Sequence, residues 1–145
     1  MVDTSVIVKV DRHEAATIEA LKVLSKAHEL LVSTITVMEI LTGSNMCKDA
    51  VAAVKAAKRL LRKMEWIPVD GRIAERSAQI NAFLIGAGSK IELPDVLIAA
   101  TFLVEGAALV LTFNSDHFTR IPALAGKIVT PAEAVARLAQ DTATS

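Results

Sequence analysis

Ile91-Glu92-Leu93-Pro94-Asp95-Val96-Leu97-Ile98-Ala99-Ala100 is the stretch on which the fold turns. Proline is tolerated in the first turn of a helix, and an acid there faces the positive end of the helix dipole. The next residues are apolar nearly all round, so the helix they form has to be buried. Burial of that kind needs other layers packed around it. It also sets the Asp95 carboxylate at the mouth of a central helix, where few groups can neutralise it. Read alone, Asp95 is a good helix-start residue and nothing more.

The segments on either side supply the other layers. Downstream, Gly106 ends the helix and Ala107 to Thr112 is an apolar run of strand length. Asn114-Ser115-Asp116-His117 reads as a polar loop, and Lys127-Ile128-Val129 as a short last strand. Pro131 opens a final helix ending near Leu138, with residues 141–145 as a frayed tail. Upstream, Gly86 to Ser89 is a flexible connection from a helix over about Arg72 to Ile85, entered through Asp70-Gly71. Trp66 to Val69 is a candidate strand, and Pro68 argues for an edge position. From Asp49 to Met64 the periodicity is helical: Val51, Val54, Ala57, Leu61 and Met64 make an apolar face, and Lys55, Lys58, Arg59, Arg62 and Lys63 a basic one.

Nearer the start, Glu29 to Ser33 is strand-like, and Thr34 to Leu41 is helical and stops at Gly43. Glu14 to His28 carries Ile18, Leu21, Val23 and Leu24 at helical spacing. Met1 to Asp3 reads as the end of a strand. Val6 to Val10 is β-branched, yet Ser5 can cap a helix at this point, so that segment fits a strand or a short helix. Strands and helices alternate throughout, which predicts an α/β fold: a parallel sheet with helices on both faces. The length of 145 residues fits one domain, placed here over residues 1–140.

Composition excludes several classes. Hydrophobic residues make up 52% of the chain and mean hydropathy is +0.45, supplied by Leu, Val, Ile and Ala. Such an apolar excess predicts a subunit interface, read here as a homodimer. Aromatics are only 3%, which does not suit a nucleic-acid reader built on stacking platforms. Formal net charge is zero, so any polyanion must be held by a local basic face. One cysteine, Cys47, excludes a disulfide framework. There is no secretory leader pattern, and Val96 to Val104 is far short of the roughly 20 residues that span a bilayer. The expectation is a soluble cytoplasmic protein with no membrane partner.

In parallel α/β sheets, ligands sit beyond the carboxyl ends of the strands. Asp3, the segment Thr34 to Glu39, and Asn114 to His117 all fall there, and the helix carrying Asp95 can face the same crevice. Three carboxylates converging on one crevice repel each other without a cation. Hard oxygen donors of this kind suit Mg²⁺ or Mn²⁺, which points to metal-assisted phosphate or phosphodiester chemistry. Each residue also has a plainer reading. Asp3 could cap the turn after its strand, Glu39 could be an exposed helix residue, and Asp116 could cap the turn before Phe118. His117 reads as a packing histidine rather than a ligand. Glu39 shares a narrow polar stripe with Thr36 and Gly43 among apolar neighbours, which favours a site over a solvated face.

Taken together, Asp3-Thr4-Ser5, Ser33-Thr34-Ile35-Thr36 with Glu39, Asp95 to Ala100, and Leu111-Thr112-Phe113-Asn114 with His117-Phe118 resemble the PIN-domain family. The likeness is greatest to the VapC-type toxins of toxin–antitoxin pairs, and its order and spacing run across nearly the whole chain. The resemblance implies a three-layer α/β/α sandwich with a central parallel sheet, and a Mg²⁺- or Mn²⁺-dependent endoribonuclease that leaves a 5′-phosphate. It implies Asp3, Glu39 and Asp95 as the acidic metal-site residues, with Thr112 orienting the Asp3 region, and a small antitoxin as partner.

Two departures stand out. Family members often carry an acid at the place of Asn114, which ligates through its carbonyl oxygen but brings no charge; the adjacent Asp116 is the alternative fourth site residue. Only Met1 and Val2 precede Asp3, so the first strand is truncated or the native start lies upstream. The basic face carrying Lys58 and Arg62 is either a solvated helix surface or a phosphate-tracking one. Two other functions compete: a PIN-like RNA-binding module with weakened catalysis, and a haloacid-dehalogenase-like phosphohydrolase. The second needs an aspartate two residues after Asp3, where Ser5 stands.

Overall fold

Consecutive residues of every strand face opposite sides of the sheet, and the core divides accordingly. Met1, Val110 and Ile128 pack with one apolar cluster; their neighbours Val2, Leu111 and Val129 pack with another. This period of two, with both faces covered, is the signature of a buried parallel sheet. The computed structural model describes residues 1–145 and shows how the chain achieves it.

The elements run α1 (Thr4–Asp11), α2 (Ala15–Ala27), β1 (Leu31–Ser33), α3 (Thr34–Asn45), α4 (Ala50–Leu61), β2 (Glu65–Ile67), α5 (Gly71–Gly86), α6 (Leu93–Glu105), β3 (Val110–Leu111), α7 (Ser115–Thr119), a 3-10 turn at Pro122–Leu124, β4 (Ile128–Val129) and α8 (Pro131–Ala143). β1 pairs with β2 and β3 with β4, both parallel. Val2 joins the two pairs: its N–H donates to Leu31 O at 2.8 Å, and it forms a parallel bridge to Leu111. The sheet order is therefore β2, β1, Val2, β3, β4, and β2 is an edge, as Pro68 just beyond it requires.

Helices α5, α6 and α7 cover one face, while α1, α2, α3, α4 and α8 cover the other. α6 is buried at Val96 and from Ile98 through Phe102, as an all-apolar helix should be. Gly106 ends it at φ 65°, the left-handed position that a Cβ disfavours. No helix is long and apolar enough to cross a membrane.

Of the two readings open for Val6 to Val10, the helix is the one the chain adopts, so α1 follows the first strand directly. Three local expectations need correction. The polar loop at Asn114 to His117 is largely a short helix, α7. α8, opened by a capping box between Thr130 and Glu133, continues to Ala143 rather than stopping near Leu138. Val51, assigned to the apolar face of α4, is 83% exposed, while Ala57 and Leu61 are buried.

Candidate active site

Asp3 lies at the carboxyl end of the central strand and immediately before α1. It occupies the helix N-cap position, yet its carboxylate caps nothing. Oδ2 instead accepts from the Ser5 hydroxyl at 2.8 Å and from the Thr112 hydroxyl at 2.8 Å. Thr112 follows β3, and its hydroxyl also accepts the Asn114 N–H at 2.9 Å. Ser5 Oγ accepts the Phe113 N–H at 3.0 Å. The strand ends on either side of the crevice are thus tied together through one buried carboxylate.

Glu39 comes from the second turn of α3, a helix started by Ser33, whose hydroxyl accepts from the Ile35 N–H. Thr4 donates to Glu39 Oε1 at 2.7 Å and pairs with the buried Thr36 hydroxyl at 3.2 Å. Asp95 stands in the first turn of α6, half-buried, with Oδ2 at 2.5 Å from His117 Nδ1. His117 is the residue that sequence reasoning passes over, in favour of its neighbour Asp116. α7 turns the imidazole inward and leaves Asp116 exposed, with no hydrogen bond or ion pair to its carboxylate. Asn114 is also exposed; its backbone, not its amide, joins the network.

Burial pushes the Asp3 carboxyl above the ordinary range, against the pull of the Thr112 and Ser5 hydrogen bonds; the charge of Asp95 pushes it further. Burial likewise raises Glu39, opposed by the Thr4 bond and reinforced by the charges of Asp95 and Asp3. The three acids therefore feel one another, and no lysine or arginine pairs with any of them. No three acidic, histidine or cysteine side chains close into a ready metal cage. The donor set suits a hard divalent cation by chemistry and charge, and the acids stand at coupling distance rather than ligation distance.

Lys58 and Arg62 lie elsewhere, on α4, where they line an open groove with Asn45, Ala50, Val51, Val54 and Lys55. No site acid lines that groove, and no carboxylate pairs with either cation.

A parallel sheet between two helical layers, with coupled acids from the end of its central strand and from α3 and α6, defines an α/β/α protein with an acidic crevice. The PIN-domain family model matches residues 1–124, and the chain belongs to that family. No curated protein sequence matches it. Among solved structures, a chain of the VapBC2 complex from Rickettsia felis, bound to promoter DNA, is similar at TM-score 0.83 and 24% identity, with 90% of this chain and 96% of that one covered. A chain of DNA-bound VapBC from Salmonella typhimurium gives TM-score 0.80 and 23% identity, with 90% and 96% covered. A toxin–antitoxin complex from Klebsiella pneumoniae gives 0.66 and 25%, with 90% and 95% covered.

Proposed function

We propose that this chain is the nuclease toxin of a toxin–antitoxin pair, a Mg²⁺- or Mn²⁺-dependent endoribonuclease. The observation that carries the reading is the trio Asp3, Glu39 and Asp95: mutually repelling, partly desolvated, and with no lysine or arginine to offset them, only the His117 imidazole beside Asp95. An arrangement that costs the free protein stability is the kind that function retains.

In this reading Asp3 and Asp95 would hold the metal and Glu39 would complete its acidic surround. Ser5 and Thr112 fix the Asp3 carboxylate through Oδ2, so Oδ1 takes no side-chain hydrogen bond. His117 aligns Asp95, and Thr4 aligns Glu39. The divalent ion, when bound, supplies positive charge for the phosphodiester and lowers the pKa of the attacking water. Water attacks phosphorus in line as the bond to the 3′ oxygen breaks, leaving a 3′-hydroxyl and a 5′-phosphate. Asn114 and Asp116, both exposed, are the two candidates for the fourth site residue.

Two partners belong to the proposal. The similarity to chains from VapBC complexes supports a small antitoxin. Phe83, Ile85 and Leu93, each more than half exposed on α5 and α6, support a homodimer that covers them. The setting is cytoplasmic.

The test incubates the protein with RNA, single-stranded DNA and a phosphate monoester, in Mn²⁺ or in EDTA, beside Asp95→Asn. Cleavage of RNA alone, lost on chelation and in the variant, is the expected result. RNA cleavage that survives both changes would sink the metal-site assignment, and metal binding without cleavage would leave a PIN-like binding module, the reading that the uncharged Asn114 favours.

The unpaired α4 cations give a second expectation. Neutralising Lys58 and Arg62 together should weaken RNA binding and flatten the slope of log K against log salt by about 1.4, at roughly 0.7 per phosphate contact on a single strand. An unchanged slope removes α4 from RNA binding.

A further inference from the structure

Phe102 and Phe118 are buried in the core, whereas Trp66, Phe83 and Phe113 are exposed at 40%, 53% and 39%. Of these three, Phe113 is the one tied by hydrogen bonds to the acids. Its backbone N–H donates to Ser5 Oγ, which in turn donates to Asp3 Oδ2, so the ring is anchored two hydrogen bonds from the buried carboxylate. Lys9, from α1, holds its ammonium 4.3 Å from the ring centroid. Glu14 pairs with the same ammonium at 3.0 Å and keeps it there. An exposed phenyl ring under a cation, at the rim of an acidic crevice, serves no core and no secondary structure.

We propose that Phe113 and Lys9 form a nucleotide subsite beside the cleavage centre: one unpaired RNA base stacks on the ring, and Lys9 takes the adjoining phosphate. This rests on the ribonuclease reading and adds the nucleotide contact that composition alone argued against. The physics is that of single-strand grooves. Every base has a π-face, so stacking on an aromatic tolerates any sequence while demanding that the base be unpaired. A cation over the ring strengthens the platform and meets the backbone charge that accompanies each base. The subsite therefore selects single-stranded segments, loops or bulges rather than helical RNA.

The plainer alternative is that Lys9 and Phe113 only staple α1 to the loop after β3, and the test separates the two. Binding of a labelled mixed-sequence single-stranded oligoribonucleotide is measured in EDTA, beside a strand of equal length whose nucleotides are all abasic. The parent protein should bind the base-bearing strand about five- to a hundred-fold more tightly, the worth of stacking one base. Phe113→Leu should bind the two strands alike, and Phe113→Trp should restore the preference. Lys9→Met should weaken both strands together and lower the salt slope by about 0.7. A preference that persists in Phe113→Leu overturns the subsite and leaves the nuclease reading standing. No binding of either strand by the parent also overturns the subsite, while the nuclease reading stands or falls on the Mn²⁺ cleavage assay.

Discussion

Replacing Asp3 by Asn will cut metal-dependent RNA cleavage by about a thousand-fold, roughly 4 kcal/mol in the barrier, and will at the same time stabilise the metal-free protein. The first effect follows from removing a charged ligand at the centre of the site. The second follows from burial, which raises the Asp3 carboxyl in the folded state above its ordinary value of 3.8. The folded protein then binds a proton more tightly than the unfolded chain. Stability is complete below the ordinary carboxylate range and declines as pH rises through the raised value. Asn carries no charge and can still accept from Ser5 and Thr112, so its advantage opens above the ordinary carboxylate range and grows until pH has passed the raised Asp3 value.

Thermal unfolding in EDTA, in acid and near neutral pH, reads this directly, at about 2–4 °C for each kcal/mol recovered. Excess Mn²⁺ should reverse the order, because the parent gains about 2.7 kcal/mol at a hundred times its dissociation constant and the variant gains less. A variant that melts below the parent at neutral pH in EDTA would show that the Asp3 charge costs the fold nothing. Glu39, raised for the same leading reason, leaves a residual pH slope in the variant.

Phe102→Ala should be the most damaging core change. Phe102 is 1% exposed and sits on α6 in the cluster beneath the sheet face. Truncating a buried Phe removes about 3–5 kcal/mol from a total of roughly 5–15 kcal/mol. Urea unfolding should show a much lower midpoint at an unchanged slope. Val51→Ala, at a position 83% exposed, should change stability by less than about 0.5 kcal/mol. Equal losses from the two would remove α6 from the centre of the core.

Much of this was legible in residues 91–100. An all-apolar helix opened by Pro94 and Asp95 demanded layers on both sides, and the strand runs at residues 29–33, 107–112 and 127–129 supplied the sheet. The strand-end rule located Asp3 and the segment after Thr112 without any view of their contacts. His117 was missed because its partner is 22 positions away on another element. Nothing local distinguishes an imidazole packed on a core from one aimed at a carboxylate. Asp116 gained weight from being acidic, but helical geometry separates neighbours by about 100°, and α7 spends that rotation on His117.

Val51 failed for a related reason. On a regular helix it lies about 80° from Leu61 and about 120° from Ala57, at the rim of the buried arc rather than within it. Phe113 was legible as part of a motif but not as an exposed ring, since only the packing of α1 against the loop after β3 decides that.

The joint between Asp3 and Thr112 spans 109 positions of sequence. On a ribosome adding roughly 5–20 residues per second, Asp3 emerges at least several seconds before Thr112, and His117 later still. Until then the central strand lacks its β3 partner, Asp3 lacks one of its two hydroxyl donors, and Asp95 lacks its imidazole. A chain not yet extended to His117 thus carries the acids without their arrangement, and the order of synthesis itself delays assembly of the crevice until α7 has been made.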